Sequence, residues 1–429
     1  MRLFADTRPL RYADFRRLWS ANIVTVIGAQ MTVVAIPAQI YHITGSSGYV
    51  GLSGIFGLIP LVVFGLWGGS LADVIDRRKL LIISTVGLIG ASALLAVIAV
   101  MELGNVWLLL SVFSLQQAFF GLNQPAKGAL LPTIIPLELL PAANSLNMTV
   151  MTLGAVAGPV IGGALIPVFG YQMLYILDAL FLATTLYAVL RLPALVPRKQ
   201  PDTRSGFKGV IDGFRYLGTN TVVMVSLLVD VIAMVFGMPR ALFPQIATET
   251  FGGPPAGGIV FSLLFASLAA GSALAGIFSG WITRVERQGM AVIIAILVWG
   301  SAMTVFGLSL EFASGFWMAS LIVALFGLAC GGGADIISSA FRSTMLQEAA
   351  SDDMRGRMQG VFIVVVAGGP RIADVLHGSV SEVTTTTAAS AGGGLIVIVL
   401  VIVCALIFPT FRRYRVDRGG ANQSRTAVT

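Results

Sequence analysis

Charge is what this chain has least of. Only 11% of its 429 residues are charged, 27 Lys+Arg and 20 Asp+Glu, against 56% hydrophobic and a mean hydropathy of +0.89. A soluble domain carries roughly 25% charged residues, so this composition excludes a soluble surface for a chain of this size. Two cysteines, Cys330 and Cys404, exclude a disulfide framework, and two histidines, His42 and His377, leave no ligand set for a structural zinc. No Gly-x-x-x-x-Gly-Lys-Ser/Thr loop occurs, which excludes ATP as the direct energy source. Paired acidic motifs and His-rich clusters are missing too, so a membrane-embedded enzyme has no chemistry to draw on, and neither a cofactor nor a metal is expected. No cleaved signal peptide is expected either. Arg2, Arg8, Arg11, Arg16 and Arg17 precede an apolar run too long for an h-region.

Long apolar runs are what the chain has in quantity. A spanning helix needs about 20 mostly apolar residues. Twelve such runs occur, near 18–42, 49–72, 80–101, 106–126, 142–166, 171–191, 221–246, 258–282, 290–310, 316–340, 358–381 and 392–411. The expected fold class is therefore an all-α membrane protein of twelve transmembrane helices. The basic residues then fall in alternate connections. They comprise the N-terminal five, Arg77, Arg78 and Lys79, Lys127, a central group from Arg191 to Arg215, Arg284 and Arg287, Arg342, Arg355 and Arg357, and a C-terminal group from Arg412 to Arg425. The opposite connections carry Glu102, Glu249, Glu311 and Glu382 and no Lys or Arg. The positive-inside rule places both termini and the central segment in the cytoplasm, which for a bacterial chain means the inner membrane. Positive charge spread this way, with little aromatic interleaving, excludes nucleic acid as a partner.

The segment near 192–215, with Pro193, Pro197, Pro201, Gly206 and Gly209, is polar and rich in helix breakers. It divides the chain into an N-terminal six-helix bundle (1–192), a cytoplasmic linker (193–215), a C-terminal six-helix bundle (216–412) and a basic tail (413–429). Faint repetition supports the division. Phe15-Arg16 is echoed by Phe214-Arg215 and Gln39-Ile40 by Gln245-Ile246, while Lys127, Gly154 and Gly163 fall 215 positions before Arg342, Gly369 and Gly378. Two related bundles point to alternating access around a site between them.

Two local patterns stand out. Gly69-Ser70-Leu71-Ala72-Asp73 followed by Arg77-Arg78-Lys79 joins spans 2 and 3, with small residues at 68–72 that let one helix end approach its neighbour closely. Gly154, Gly158, Pro159, Gly162 and Gly163 give span 5 a flat stripe and a missing backbone donor. The first resembles the loop 2–3 signature of the major facilitator superfamily, departing from it at Val74 and Asp76. In that family it acts as a conformational latch, which implies this role for Gly69, Asp73, Arg77 and Arg78. The second resembles the helix-5 signature of major facilitator antiporters, which implies export. Further runs recur in order: Phe15-Arg16-Arg17-Leu18-Trp19, Pro125-Ala-Lys127-Gly-Ala-Leu-Leu-Pro132, Asp212-Gly-Phe214-Arg215-Tyr216, and Thr344-Met-Leu-Gln347 through Gly360. Together they resemble the enterobactin-exporter branch of the superfamily, beside the twelve-helix drug:proton antiporters. The resemblance implies two pseudo-symmetric bundles and proton-coupled export of a siderophore, with multidrug or macrolide efflux as the alternative. The partners it implies are the lipid bilayer, a small-molecule substrate and protons, with the protein acting as a monomer.

Ionisable groups inside spans are functional candidates by default. Asp178, Asp230, Arg240, Asp335, Arg371 and Asp374 qualify. Asp230, Asp335 and Asp374 are candidate proton carriers. For Asp230, which has no partner on its own helix, coupling and a buried hydrogen bond both stand. Arg371 and Asp374 are three apart and positioned to pair. Arg240 is placed either to snorkel or to bind an anionic substrate or close an outer gate. Asp178 reads as a structural hydrogen-bonding residue. Polar stripes on span 4 (Gln116, Asn123, Gln124, Lys127) and span 10 (Asp335, Ser338, Ser339, Arg342) suit a central aqueous cavity. Related drug antiporters often carry an Asp after a Gly in span 1, whereas this chain reads Gly28-Ala29-Gln30, so the resemblance does not extend to the usual span-1 proton site. The expected cavity residues are Gln30, Gln116, Asn123, Gln124, Arg240, Ser338 and Arg371.

Overall fold

A computed structural model of the protein describes residues 6–72, 74–193, 215, 221–254, 257–349 and 352–415. Asp73, most of the 193–215 linker and nearly all of the basic tail lie outside the described residues. So does most of the Asp212–Tyr216 run.

Helix is the only open-ended structure that satisfies its own backbone in hydrocarbon. The described chain consists of helices and short connections. The first half holds α1 (Ala13–Thr44), α2 (Ser47–Ala72), α3 (Arg77–Val100) and α4 (Val106–Ile134). The helical run Leu140–Leu190 turns back at Gly170, whose φ of 70° and ψ of 177° no side-chain-bearing residue adopts cheaply. It divides there into α5 (140–169) and α6 (171–190). The second half holds α7 (Thr221–Gly237, continued by short turns to Thr250), α8 (Ile259–Ile277), α9 (Gln288–Ser309), α10 (Trp317–Ala349), α11 (Asp352–Val383) and α12 (Thr386–Ile407). Side-chain caps start several of these. Asn105 accepts from the N–H groups of Trp107 and Leu108, Asp76 from Arg78, and Thr385 from Ala388. Gly45, at φ 63°, closes α1.

Ten apolar stretches in the described residues are long enough to cross a membrane. One of them contains both α5 and α6, and α11, with Arg371 and Asp374 in its length, is the remaining helix. The twelve-helix expectation therefore holds. Two boundaries move. α4 runs to Ile134 and α10 to Ala349, so Lys127 and Arg342 sit within helices and not in the basic connections expected for them. Polar residues lower the hydropathy of both helix ends, but neighbouring helices supply partners that the sequence does not display.

α1 packs on the α5–α6 hairpin, α2 on α4, and α3 on α4 and the hairpin. In the second half α9 packs on α10 and α12, and α8 on α10. The halves touch along two seams, α2 against α11 and α5 against α8. The glycine stripe explains part of this. A Cβ on Gly154, Gly158 or Gly162 would meet α1 at Val26, Gln30 and Met31, so this row is a bearing within the first half. Gly163, one residue on, faces Ser262 and the Gly258 carbonyl of the other half. Pro159 is buried between these rows. Replacing Gly158 by valine forces α1 and α5 apart. We expect a loss of about 1–3 kcal/mol, read as a lower melting temperature in detergent.

Candidate functional site

Among the described residues, the side-chain bridges between the two halves gather at the distal end, remote from both termini. On the α2–α11 seam, a Cβ on Gly54 would lie 3.1 Å from the carbonyl carbon of Arg371, and one on Gly51 3.2 Å from the Cα of Val375. Polar bridges reinforce the packing. Glu382 at the end of α11 accepts from Ser46 Oγ at 2.6 Å and from the Gly48 N–H at 2.9 Å, which places a carboxylate on the positive N-terminus of α2. Tyr41 of α1 donates to Glu249, Gln245 donates to the other oxygen of Glu249 at 2.9 Å, and Ser47 donates to Gln245 at 2.8 Å. The echoed glutamines thus diverge. Gln245 bridges the halves, whereas Gln39 accepts from Tyr175 Oη at 2.7 Å inside its own half.

The second half holds a buried charge group. Arg342 of α10 is 2% exposed and pairs with Asp230 of α7, itself 1% exposed. Arg342 also lies 3.9 Å from Asp335, and its Nε donates to Ser338 Oγ at 3.2 Å. Asp335 differs from Asp230 in access, since its side chain is 34% exposed. A small recess lined by Asp230, Trp299, Asp335, Ser338 and Arg342 lies beside them. Asp230 has no partner on its own helix; its partner, Arg342 of the α10 polar stripe, stands on another. Removing one member of such a pair leaves an uncompensated charge in low dielectric.

The first half repeats the geometry with weaker chemistry. Lys127 of α4 donates to Asn22 of α1 at 2.5 Å, so the first and fourth helices of each half are joined by a cation on the fourth. The α4 stripe does not line one cavity face. Gln116 is buried and donates to Ser92 (3.0 Å) and Asp178 (3.3 Å), and Asn123 donates to Ser84 (2.9 Å) and Thr85 (3.2 Å), so both are bound to neighbouring helices. Gln124 is exposed. At about 100° per residue it shares a face with Gln117, which the sequence reading passed over for its neighbour. Asp178 accepts from Ser92 Oγ at 2.7 Å, the structural role expected. Gln30 is half-buried, with Gly158 packed on its Cβ.

Arg371 and Asp374 do not pair with each other. Asp374 lies 3.6 Å from Arg240, which stands in the turn Arg240–Leu242, while the Arg371 guanidinium crosses to the first half, 5.7 Å from the centre of the Phe113 ring. The three-residue spacing permitted a pair, but the α2–α11 seam draws the longer side chain away. Of the latch residues, Arg78 donates to the Leu190 carbonyl at 2.7 Å, binding the α2–α3 turn to the end of α6. Gly69 looks onto open space, and it is Gly68 that meets α4, where an added Cβ would come 2.9 Å from the Leu122 Cα. Asp73 lies outside the described residues, and Arg77 begins α3.

A family model described as transmembrane secretion effector matches residues 5–419. The chain belongs to that family, within the major facilitator superfamily. The enterobactin exporter EntS of Escherichia coli O1:K1 / APEC is 28% identical over 407 residues, 94% of this chain and 93% of that protein. Macrolide efflux protein A of Streptococcus pyogenes is 25% identical over 348 residues, 80% of this chain and 83% of that protein. Among solved structures, the nucleoside transporter NupG aligns with a TM-score of 0.71 at 13% identity, over 94% of this chain and 100% of that one, a likeness of fold. The chain is thus a multi-pass membrane transporter with the major facilitator architecture. In this transporter, Arg342→Met strands two carboxylates. We expect a loss of about 3–5 kcal/mol, and the double variant Asp230→Leu/Arg342→Met should recover most of it, as measured by thermal unfolding in detergent.

Proposed function

We propose that this transporter is an exporter that carries a small organic solute, a siderophore, out of the cytoplasm by alternating access coupled to inward proton flux. The observation that carries the reading is the sealing of the distal end, where close glycine packing between α2 and α11 and the bridges from Glu382, Gln245 and Glu249 hold the halves together. With the termini in the cytoplasm, as the distribution of basic residues implies, the sealed distal end faces away from the cytoplasm, the side from which an exporter loads. The similarity to an enterobactin exporter along nearly the whole chain supports both the direction and the substrate class.

Coupling is assigned to Asp335, Arg342 and Asp230. Two carboxylates share one guanidinium, so the group holds an excess negative charge that one proton neutralises. Asp335 is the member a proton reaches, being partly exposed. Its protonation releases Arg342 to Asp230 alone, tightening α10 on α7, and its deprotonation restores the shared arrangement. Asp374, the third candidate carrier, is engaged by Arg240.

Disrupting the gene should lower siderophore release under iron limitation, read by metabolite profiling of the medium. Normal release together with new macrolide sensitivity would replace the siderophore reading by macrolide efflux, which the second relative supports. In proteoliposomes, Asp335→Asn should lose pH-driven uptake by about tenfold or more while keeping substrate exchange. Retained pH-driven uptake would remove Asp335 from coupling.

A further inference from the structure

Arg240 and Arg371 lie near one another on the distal seam, reaching it from the turn after α7 and from α11. Each guanidinium offers five N–H donors and no acceptor. The nearest carboxylate, Asp374, lies 3.6 Å from Arg240 Nη2 through its Oδ2, a long contact for an ion pair, and among the described residues makes no ion pair with Arg371. Arg240 Nε is buried with no acceptor. Arg371 makes no salt bridge among the described residues. Its guanidinium rests beside the Phe113 ring and against Gly57, where an added Cβ would come 3.3 Å from Cζ.

Two cations therefore face one anion at a depth where unpaired charge is costly, and most of their donors are unused. Arg342 differs, because it meets two carboxylates and a hydroxyl. The other elements packed here add no further charge. α2 brings Gly51, Gly54 and Gly57, and α4 brings Phe113. Phe113 also marks the distal end of an α4 face that continues through Gln117, Phe120 and Gln124, at i+4, i+7 and i+11. Arg371 thus stands at the distal end of that face.

We propose that Arg371 and Arg240 form the receptor for an anionic group of the exported solute, a carboxylate borne on an aromatic ring, and that the arriving anion takes over Arg240 from Asp374. This rests on the exporter reading above and names the chemistry of its substrate. Asp374 holds the place of the ligand in the unloaded protein. The planar fork of Arg371 accepts a two-oxygen anion, and the Phe113 ring lies where the aromatic part of the solute would follow. Arg371 belongs to α11, yet its guanidinium rests on α2 and α4. Capture of an anion there acts directly on the contact that seals the distal end, so loading and distal opening share one residue.

The test uses full-length protein in nanodiscs, 2,3-dihydroxybenzoate as an anionic aromatic probe and erythromycin as a cationic one, with affinities from calorimetry and a melting curve for each variant. Wild type should bind the anionic probe, and Arg371→Gln should bind it about tenfold or more weakly. Arg371→Lys, which keeps the charge and loses the fork, should fall between. Asp374→Asn removes the competitor, so it should bind the anionic probe several-fold more tightly and gain more thermal protection from it than wild type does. Erythromycin affinity should not follow this order. A wild type that ignores the anionic probe overturns the proposal. So does an Arg371→Gln variant with wild-type affinity, or an Asp374→Asn variant weakened as much as Arg371→Gln. These outcomes are independent of the profiling experiment, whose failure removes the siderophore and leaves the anion site to be judged on its own.

Discussion

Hydrocarbon supplies no hydrogen bonds, so every charge this chain carries into the membrane has to be met by another part of the chain. That constraint organises the whole structure. Arg342 is tolerable at 2% exposure because α7 brings Asp230 to it and α10 brings Asp335 and Ser338. Asp178 is tolerable because Ser92 and Gln116 converge on it from α3 and α4. Lys127 leans on Asn22. Each of these ties joins two or three helices, so the few polar residues set the rotation of helices whose apolar surfaces alone would permit many.

The same constraint separates the charge groups by kind. Asp230, Arg342 and Asp335 lie within one half, so their pairing does not depend on how the halves meet. Arg240, Arg371 and Asp374 stand on the seam, where a change of partner is felt by both halves. Glycine makes the seam possible. At Gly51, Gly54 and Gly378 the α2 and α11 backbones approach so closely that no side chain fits, which keeps the contact thin and reversible while Glu382, Gln245 and Glu249 secure it at the distal rim. Without a hydrophobic force between helices in lipid, close packing and polar bridges of this kind are what hold a bundle together.

The legible part of the site was the inventory, and the hidden part was the pairing. Asp230, Asp335, Asp374, Arg240 and Arg371 announce themselves because a charge in an apolar run is costly and stands out against its neighbours. Their partners do not, since a spacing of three residues allowed Arg371 to meet Asp374 while the fold sent Asp374 to Arg240. Gln116 and Gln117 show the limit more sharply. Adjacent in sequence, they point about 100° apart on a helix, and only the packing of α3 shows that Gln116 is consumed by Ser92 and Asp178. The latch region is similar, with Gly68 in contact and Gly69 in the open.

By itself the sequence determined that this is a membrane protein of twelve helices with basic connections on one side, because apolar length and the placement of Lys and Arg are one-dimensional properties that the bilayer reads directly. It also marked the residues that chemistry would use. The tertiary structure alone decided which cation answers which anion, which end of the bundle is sealed, and where positive charge is left over. Those depend on helix rotation and on contacts between residues more than a hundred positions apart, such as Asp230 with Arg342 and Gly54 with Arg371. No local pattern encodes a distance across two bundles.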